Sequence, residues 1–303
     1  MSNTEDRNPK TEDIDILSVS QILHLMSEED SSVIDAVRFA IPSIEKAVDM
    51  AADIIKKGGS IFYAGAGTSG RLGVLDASEM PPTFGVSPHM LQAIIAGGEK
   101  ALRNSVEGAE DNEEAGKEAA SAVTGKDMVL GISASGRTPF VLSFLDEAKG
   151  KGAKCWLLTC NDIEMPIIFK IQDSRFKMLV LDGIIKVITG PEIIAGSTRL
   201  KAGTATKLVL NMFSTATMVK LGRVYKGMMV DIVPTNNKLI YRAEGIIMET
   251  TGCKREEASE YLKASLMRPK VAIVMKAKGV SREEAERLLI ESGGHLRPLI
   301  ADS

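Results

Sequence analysis

Two short segments rich in glycine and hydroxyl groups constrain this chain more than anything else in it: Gly65-Ala66-Gly67-Thr68-Ser69-Gly70-Arg71 and Ser133-Ala134-Ser135-Gly136-Arg137-Thr138. Each follows a short apolar run, and each leads into residues of helical character. Strand, tight turn and helix in that order is the pattern of a parallel α/β sheet. A helix N-terminus presents N–H groups without carbonyl partners and a partial positive charge, and Ser and Thr hydroxyls add donors at matching reach. Glycine lets the backbone approach a ligand closely. Two such turns, about one βαβ unit apart, point to a pocket for a phosphorylated small molecule.

The rest of the chain narrows the partner. With 303 residues and 44% hydrophobic content there is ample material for a buried core. The formal net charge of -3 argues against a polyanion-binding surface, so a small molecule rather than nucleic acid is expected. Cys155, Cys160 and Cys253 are odd in number and lack paired metal-ligand spacing, which reads as buried free thiols. Residues 1–15 are polar, without the apolar core of a signal peptide, and no run is long enough to span a bilayer. A cytoplasmic protein with no membrane partner is expected.

Along the chain, residues 1 to about 15 read as an arm that needs a partner surface to be ordered. Ile16 to Lys57 carries apolar residues at helical spacing, which predicts two or three helices broken near Pro42 and ended by Gly58-Gly59. Buried strands are predicted at Ser60–Ala64, Asp127–Ile132, Lys154–Thr159, Lys177–Leu181 and Ile185–Ile188, with helical segments between several of them. The helix after Gly70 is expected to stop at Pro81-Pro82. A long helix is predicted over Lys201–Leu221, with Ser197 or Thr198 able to cap it. After Pro234 the pattern is helical only: Leu239–Thr251, Lys254–Ser265, Pro269–Ala277 and Ser281–Ser292, the last opened by a capping-box pattern from Ser281 to Glu284. The expected fold is α/β: a three-layer parallel-sheet domain over 52–222, preceded by a helical arm over 1–51 and followed by an all-helical module over 235–303.

Gly65-x-Gly67-x-x-Gly70 formally matches the dinucleotide fingerprint, but that motif needs an acidic residue ~20 positions on, after the second strand. The corresponding region, Leu91–Ala96, holds no acid. A Walker loop is excluded by Arg71-Leu72, which stand where Lys and Ser or Thr are required. His24, His89 and His295 all lie away from the two turns. No cofactor and no metal are expected.

The paired turns resemble the sugar isomerase (SIS) fold, whose Ser/Thr-rich turns at strand ends hold a sugar phosphate. The resemblance extends through Gly65–Gly73 into Asp76-Ala77-Ser78-Glu79-Met80-Pro81-Pro82-Thr83-Phe84. It continues at Thr4-Glu5, Arg7-Asn8-Pro9, Ala96-Gly97-Gly98-Glu99, Val106-Glu107-Gly108-Ala109-Glu110-Asp111 and Gly196–Thr204. Over nearly the whole chain the sequence is similar to the N-acetylmuramic acid 6-phosphate etherase family of cell-wall (peptidoglycan) sugar recycling. The same architecture occurs in the glucokinase regulatory protein, which is about twice as long and does no chemistry.

The resemblance implies a homodimer with sites near the subunit interface. It also implies a lyase that releases D-lactate from N-acetylmuramic acid 6-phosphate and leaves N-acetylglucosamine 6-phosphate. By motif position, Glu79 and Glu110 match the family's catalytic pair, with Glu79 as acid and Glu110 as base. Among Glu107, Glu110, Asp111, Glu113 and Glu114 the residues themselves make no choice. Substrate and phosphate contacts are expected from Gly67, Thr68, Ser69, Gly70, Ser133, Ser135, Gly136 and Thr138, with Arg199 and Lys201 placed either to meet the phosphate or the lactate carboxylate or to form a structural salt bridge. Two other readings use the same cradle: an aldose-ketose sugar-phosphate isomerase, and a regulatory module that binds sugar phosphate without turnover.

Overall fold

The computed structural model describes residues 4–170 and 175–300. The outer ends of the expected arm and helical module, 1–3 and 301–303, lie outside the described residues, as do 171–174. The chain forms two compact units, one of residues 1–78 and 89–214, the other of 79–88 and 215–303.

In the first unit a short arm precedes α1 (Val19–Lys56), a single helix of 38 residues. Ser18 and Gln21 close a capping box at its start. The expected break at Pro42 does not occur. Proline inside a helix costs about 3 kcal/mol through its missing N–H and its clash with the preceding turn. Buried Val33, Val37 and Ala40 before it, and Ile44, Ala47, Val48 and Ala51 after it, hold one continuous face against the domain. Full burial of each Val or Ile contributes roughly 1.5–3 kcal/mol, so packing outweighs the proline.

The chain continues as β1 (Ile61–Gly65), α2 (Gly67–Phe84), β2 (Leu91–Ile95), α3 (Lys100–Arg103), α4 (Glu113–Ala119), β3 (Met128–Ile132), α5 (Pro139–Gly150) and β4 (Lys154–Thr159). Next come β5 (Ile167–Lys170), β6 (Phe176–Leu179), β7 (Gly183–Lys186) and α6 (Lys201–Lys220). Five strands make one parallel sheet in the order β2-β1-β3-β4-β7. Phe62, Ala64, Val129, Cys155 and Leu157 pack with Val141, Phe144 and Leu145 of α5 on one face. Alternate residues serve the other face: Tyr63 meets Phe213 of α6, and Trp156 donates from Nε1 to the Met50 sulfur of α1. The three-layer arrangement expected from the sequence is therefore present.

Two expectations fail locally. The strand predicted over Lys177–Leu181 exists as β6 but pairs antiparallel with β5 in a separate hairpin, and β7 takes the edge of the main sheet. A short connection can reverse a strand, whereas a parallel neighbour needs a crossover of a dozen or more residues. Pro81-Pro82 also fails to stop α2, which runs to Phe84 and ends at Gly85 with φ +63. Met80 and Phe84, both buried, anchor this last turn.

Among its described residues the second unit holds a two-stranded hairpin, β8 (Val224–Tyr225) and β9 (Met228–Met229), followed by α7 (Asn237–Thr251), α8 (Arg255–Ala264), α9 (Pro269–Lys278), α10 (Arg282–Glu291) and α11 (Arg297–Ile300). Helix α9 is its core, with Val271, Ala272, Ile273 and Val274 buried against Ile246, Ile247, Leu262 and Leu289. Ser281 caps α10 by accepting from the Glu284 N–H at 3.3 Å.

Candidate active site

Strand order decides where a ligand can bind. From β1 the chain first adds β2 on one side and then β3 on the other, so β1 and β3 are neighbours whose outgoing connections diverge. In open α/β sheets the crevice at such a switch point, outside the carboxyl ends of the strands, is the binding site. Gly65 and Ile132 are register partners at those ends. The two glycine- and hydroxyl-rich turns, distant in sequence, therefore stand side by side.

The first turn is a close fit of backbone on backbone. A Cβ at Gly65 would lie 2.7 Å from the Gly70 nitrogen, and one at Gly70 would lie 2.8 Å from the Gly65 oxygen. The first amide bonded within the helix is Gly70 N–H, to the Ala66 carbonyl at 3.1 Å, so the amides of Gly67, Thr68 and Ser69 have no acceptor in α2. Nearly two turns further along α2, buried Asp76 accepts from Tyr63 Oη at 3.1 Å and Ser214 Oγ at 3.2 Å. Burial raises its pKa, opposed by those hydroxyls and by Lys207. This network ties α2 to β1 and α6.

The second turn is organised around Ser133, which is almost fully buried. Its Oγ lies 2.7 Å from Thr138 Oγ1 and 3.3 Å from Ser135 Oγ. Gly136 takes φ +69, and a Cβ there would stand 2.1 Å from Ile163 Cδ1. Ser133 and Gly136 thus shape the turn from beneath, while Ser135 and Thr138 face the cleft.

That cleft has a volume of about 450 Å³, ample for a sugar phosphate. Gly67, Thr68, Ser69, Ser135 and Thr138 line it with Glu110. Arg71 and Arg137 line it too and have no carboxylate partner among the described residues. Arg71 donates instead to the carbonyls of Ala101, Leu102 and Asn104 at 3.0, 3.2 and 3.1 Å, so its charge is not neutralised. A second cleft of about 360 Å³ adjoins through Ala66, Gly67, Arg71 and Glu110. A larger one, about 550 Å³, lies against β5 and the segment before it and shares only Arg137 and Pro139 with the hydroxyl-lined cleft.

The structure separates the five acids of the 107–114 stretch. Glu113 is buried, Glu114 pairs with Lys117 at 2.9 Å, and Glu110 alone lines both adjoining clefts. Its backbone is pinned, since its carbonyl accepts from the Phe140 N–H at 3.0 Å. Asn112 caps α4 by accepting from Ala115 N–H at 2.9 Å and so ends the loop.

Other expected residues are placed elsewhere. Glu79 is exposed near the end of α2, about three turns beyond Ser69, and is not among the residues lining the cleft. Gly70 acts through packing. Arg199 is exposed and does not line the cleft. Lys201 is not a ligand group in this structure: its ammonium is buried, 2.8 Å from Glu29 Oε2 and 3.1 Å from the Pro191 carbonyl. A buried lysine needs a partner charge, and Glu29 supplies it. Burial drives the Glu29 carboxyl upward, but hydrogen bonds from Lys10, Lys201 and Asn8 prevail and lower it to about 2. Nor does Ser197 or Thr198 cap α6. Glu192, fully buried, accepts from the Lys201 and Ala202 amides at 2.9 Å each.

The sequence reading missed Glu5, Asp111 and Thr198 as cleft residues. Nothing local marks them as ligand groups, although all three fall inside segments that carry the family resemblance. The thiols of Cys155 and Cys160 are buried and pushed up to about 12, away from any chemistry. Among the described residues no helix is long and apolar enough to cross a membrane.

Comparison with known proteins identifies relatives of the whole chain. The profile of the glucokinase regulatory protein N-terminal SIS domain matches residues 43–149. A phosphoheptose isomerase from Francisella tularensis superposes with a TM-score of 0.47 at 17% identity, covering 65% of this chain and 98% of that one. N-acetylmuramic acid 6-phosphate etherase 1 of Bacillus licheniformis is 47% identical over 300 residues, 98% of this chain and 95% of its own. The N-acetylmuramic acid 6-phosphate etherase of Geobacillus thermodenitrificans is 48% identical over 296 residues, 97% of each chain. With that identity sustained from the arm to the last helices, the chain belongs to the N-acetylmuramic acid 6-phosphate etherase family.

Proposed function

We propose that this protein cleaves the D-lactyl ether of N-acetylmuramic acid 6-phosphate, yielding N-acetylglucosamine 6-phosphate and D-lactate, as a cytoplasmic enzyme of peptidoglycan sugar recycling. The observation that carries the reading is the convergence of Glu110 with two anion-binding turns in one cleft. The phosphate is held by the amides of Gly67, Thr68 and Ser69 and the hydroxyls of Thr68, Ser69, Ser135 and Thr138, with Arg71 and Arg137 supplying positive charge.

The chemistry needs no cofactor. Opening of the sugar ring exposes an aldehyde at carbon 1, which acidifies the proton on carbon 2. Glu110 removes that proton, the electron pair forms the C2=C3 double bond, and the C3–O bond breaks. An acid protonates the departing lactate oxygen. Water then adds across the double bond, its oxygen to carbon 3 and a proton to carbon 2. We assign the acid to Glu79 by its position in the family motif, and the reading includes a homodimer with sites near the subunit interface.

The test is turnover of N-acetylmuramic acid 6-phosphate in deuterated water. D-lactate together with one deuterium fixed at carbon 2 of the product sugar is expected. Ligand binding with no lactate released would instead identify a sugar-phosphate sensor.

A further inference from the structure

The N-terminal arm does not behave as a polar tail. Thr4 is completely buried. Its N–H donates to Asn161 Oδ1 at 3.2 Å, its hydroxyl accepts from Asn161 Nδ2 at 3.1 Å, and its carbonyl accepts from the Gly196 N–H at 3.2 Å. Asn161 Nδ2 also donates to the Ala134 carbonyl at 3.2 Å, so the arm is fastened to the second anion-binding turn itself. A second anchor follows four residues on, where Asn8 Nδ2 donates to Glu29 Oε2 at 2.8 Å. Between these anchors Glu5 lines the cleft, and its carboxylate lies against Gly196, where a Cβ would stand 3.0 Å from Glu5 Oε2.

This carboxylate has no hydrogen bond or ion pair among the described residues, although its backbone is held on both sides. A carboxylate on an anchored backbone, exposed in a cleft of hydroxyls, free amides and arginines, is disfavoured next to the phosphate or the lactate carboxylate of a substrate, since like charges repel. What it can meet is a neutral donor, because an ionised carboxylate only accepts hydrogen bonds. Resting on the sugar-phosphate reading above, we infer that the arm is a wall of the substrate site and that Glu5 is a specificity residue. It accepts a hydrogen bond from a sugar hydroxyl or from the acetamido N–H.

The experiment measures binding of two probes, N-acetylglucosamine 6-phosphate and inorganic phosphate, to the full-length wild-type chain and to Glu5→Ala and Glu5→Gln. Loss of a hydrogen bond to a charged acceptor weakens binding by about tenfold or more. Glu5→Ala is therefore expected to lose at least that factor for the sugar phosphate. Inorganic phosphate should bind as well as before or better, because a nearby negative charge has gone. Glu5→Gln, which keeps a carbonyl acceptor, should fall between, and the thermal midpoint of both free variants should stay at the wild-type value. Unchanged sugar-phosphate affinity in Glu5→Ala, or an equal loss for both probes, overturns the inference. Wild-type binding of the sugar phosphate without lactate release would defeat the etherase reading while leaving Glu5 tested; failure of the wild type to bind it at all would defeat both.

Discussion

The backbone N–H of Phe140 donates to the carbonyl of Glu110 at 3.0 Å, joining the acidic loop to the first turn of α5. Helix α4 makes this possible by lying directly on that turn, at a point where a Cβ on Gly116 would stand 2.4 Å from the Phe140 oxygen. The candidate base is thus positioned in part by the close backbone approach at a glycine six residues away. Gly116→Val should force α4 outward and move Glu110 from the cleft. Overpacking of this kind costs typically 1–3 kcal/mol, so a folded protein with a lowered thermal midpoint and strongly reduced lactate release is expected. A fully active Gly116→Val protein would show that the α4–α5 contact does not position Glu110.

General acid or base groups contribute about 10²–10⁴-fold to a rate. Glu110→Gln and Glu79→Gln are each expected to lose lactate release by about that factor while still binding N-acetylglucosamine 6-phosphate. Mixing the two inactive variants under conditions that exchange subunits separates the possible arrangements. If Glu79 is supplied by a second copy, each mixed dimer carries one cleft with both glutamates intact and activity returns. No recovery, with subunit exchange verified, would place both groups within one chain.

Lys201 is expected to act through stability. Removing one partner of a buried ion pair costs about 3–5 kcal/mol, so Lys201→Met should lower the thermal midpoint markedly and leave affinity for inorganic phosphate within a few-fold of wild type. A stable Lys201→Met protein that no longer binds phosphate would restore Lys201 as a ligand group.

Glu29 makes the same cluster sensitive to acid. Its folded carboxyl titrates at about 2, below the ordinary value of 4.5. For a depressed carboxylate the folded state binds fewer protons, so the stabilisation is complete above the unfolded value and is lost as pH falls toward the folded one. Unfolding free energy should therefore decline between about pH 4.5 and pH 2. In Glu29→Gln this decline should be shallower, from a lower plateau. Parallel acid limbs in the two proteins would remove Glu29 from the cause.

Thiol accessibility checks the core directly. Cys155 and Cys160 are buried and pushed up to about 12, whereas Cys253 is half-buried. The native protein at neutral pH should yield no more than one thiol to a disulfide reagent, and all three after denaturation. Rapid reaction of two or more native thiols would mean that the β4 region opens readily.

Much of the architecture was legible from residues read in order. Local patterns act over a few positions: the apolar runs ending in Gly65 and Ile132 mark strands, and the glycine and hydroxyl spacing that follows marks turns onto helices. Prolines misled because their penalty is local while its compensation is not. The break expected at Pro42 was overridden by a buried face extending from Val33 to Ala51. Between ligand contact and structural salt bridge the sequence makes no choice for Lys201, because Glu29, its partner, lies far away in sequence on another helix.

The sequence by itself determined most of the strand, turn and helix units, the two glycine- and hydroxyl-rich turns and the family, because propensity, turn chemistry and motif identity all reside in contiguous residues. Only the tertiary structure decided that β1 and β3 are neighbours, that Glu110 among the carboxylates of its stretch lines two adjoining clefts, that Glu192 and not a local hydroxyl caps α6, and that Glu5 lines the cleft. Each of these depends on which surfaces bury one another, and burial joins residues that no local pattern connects.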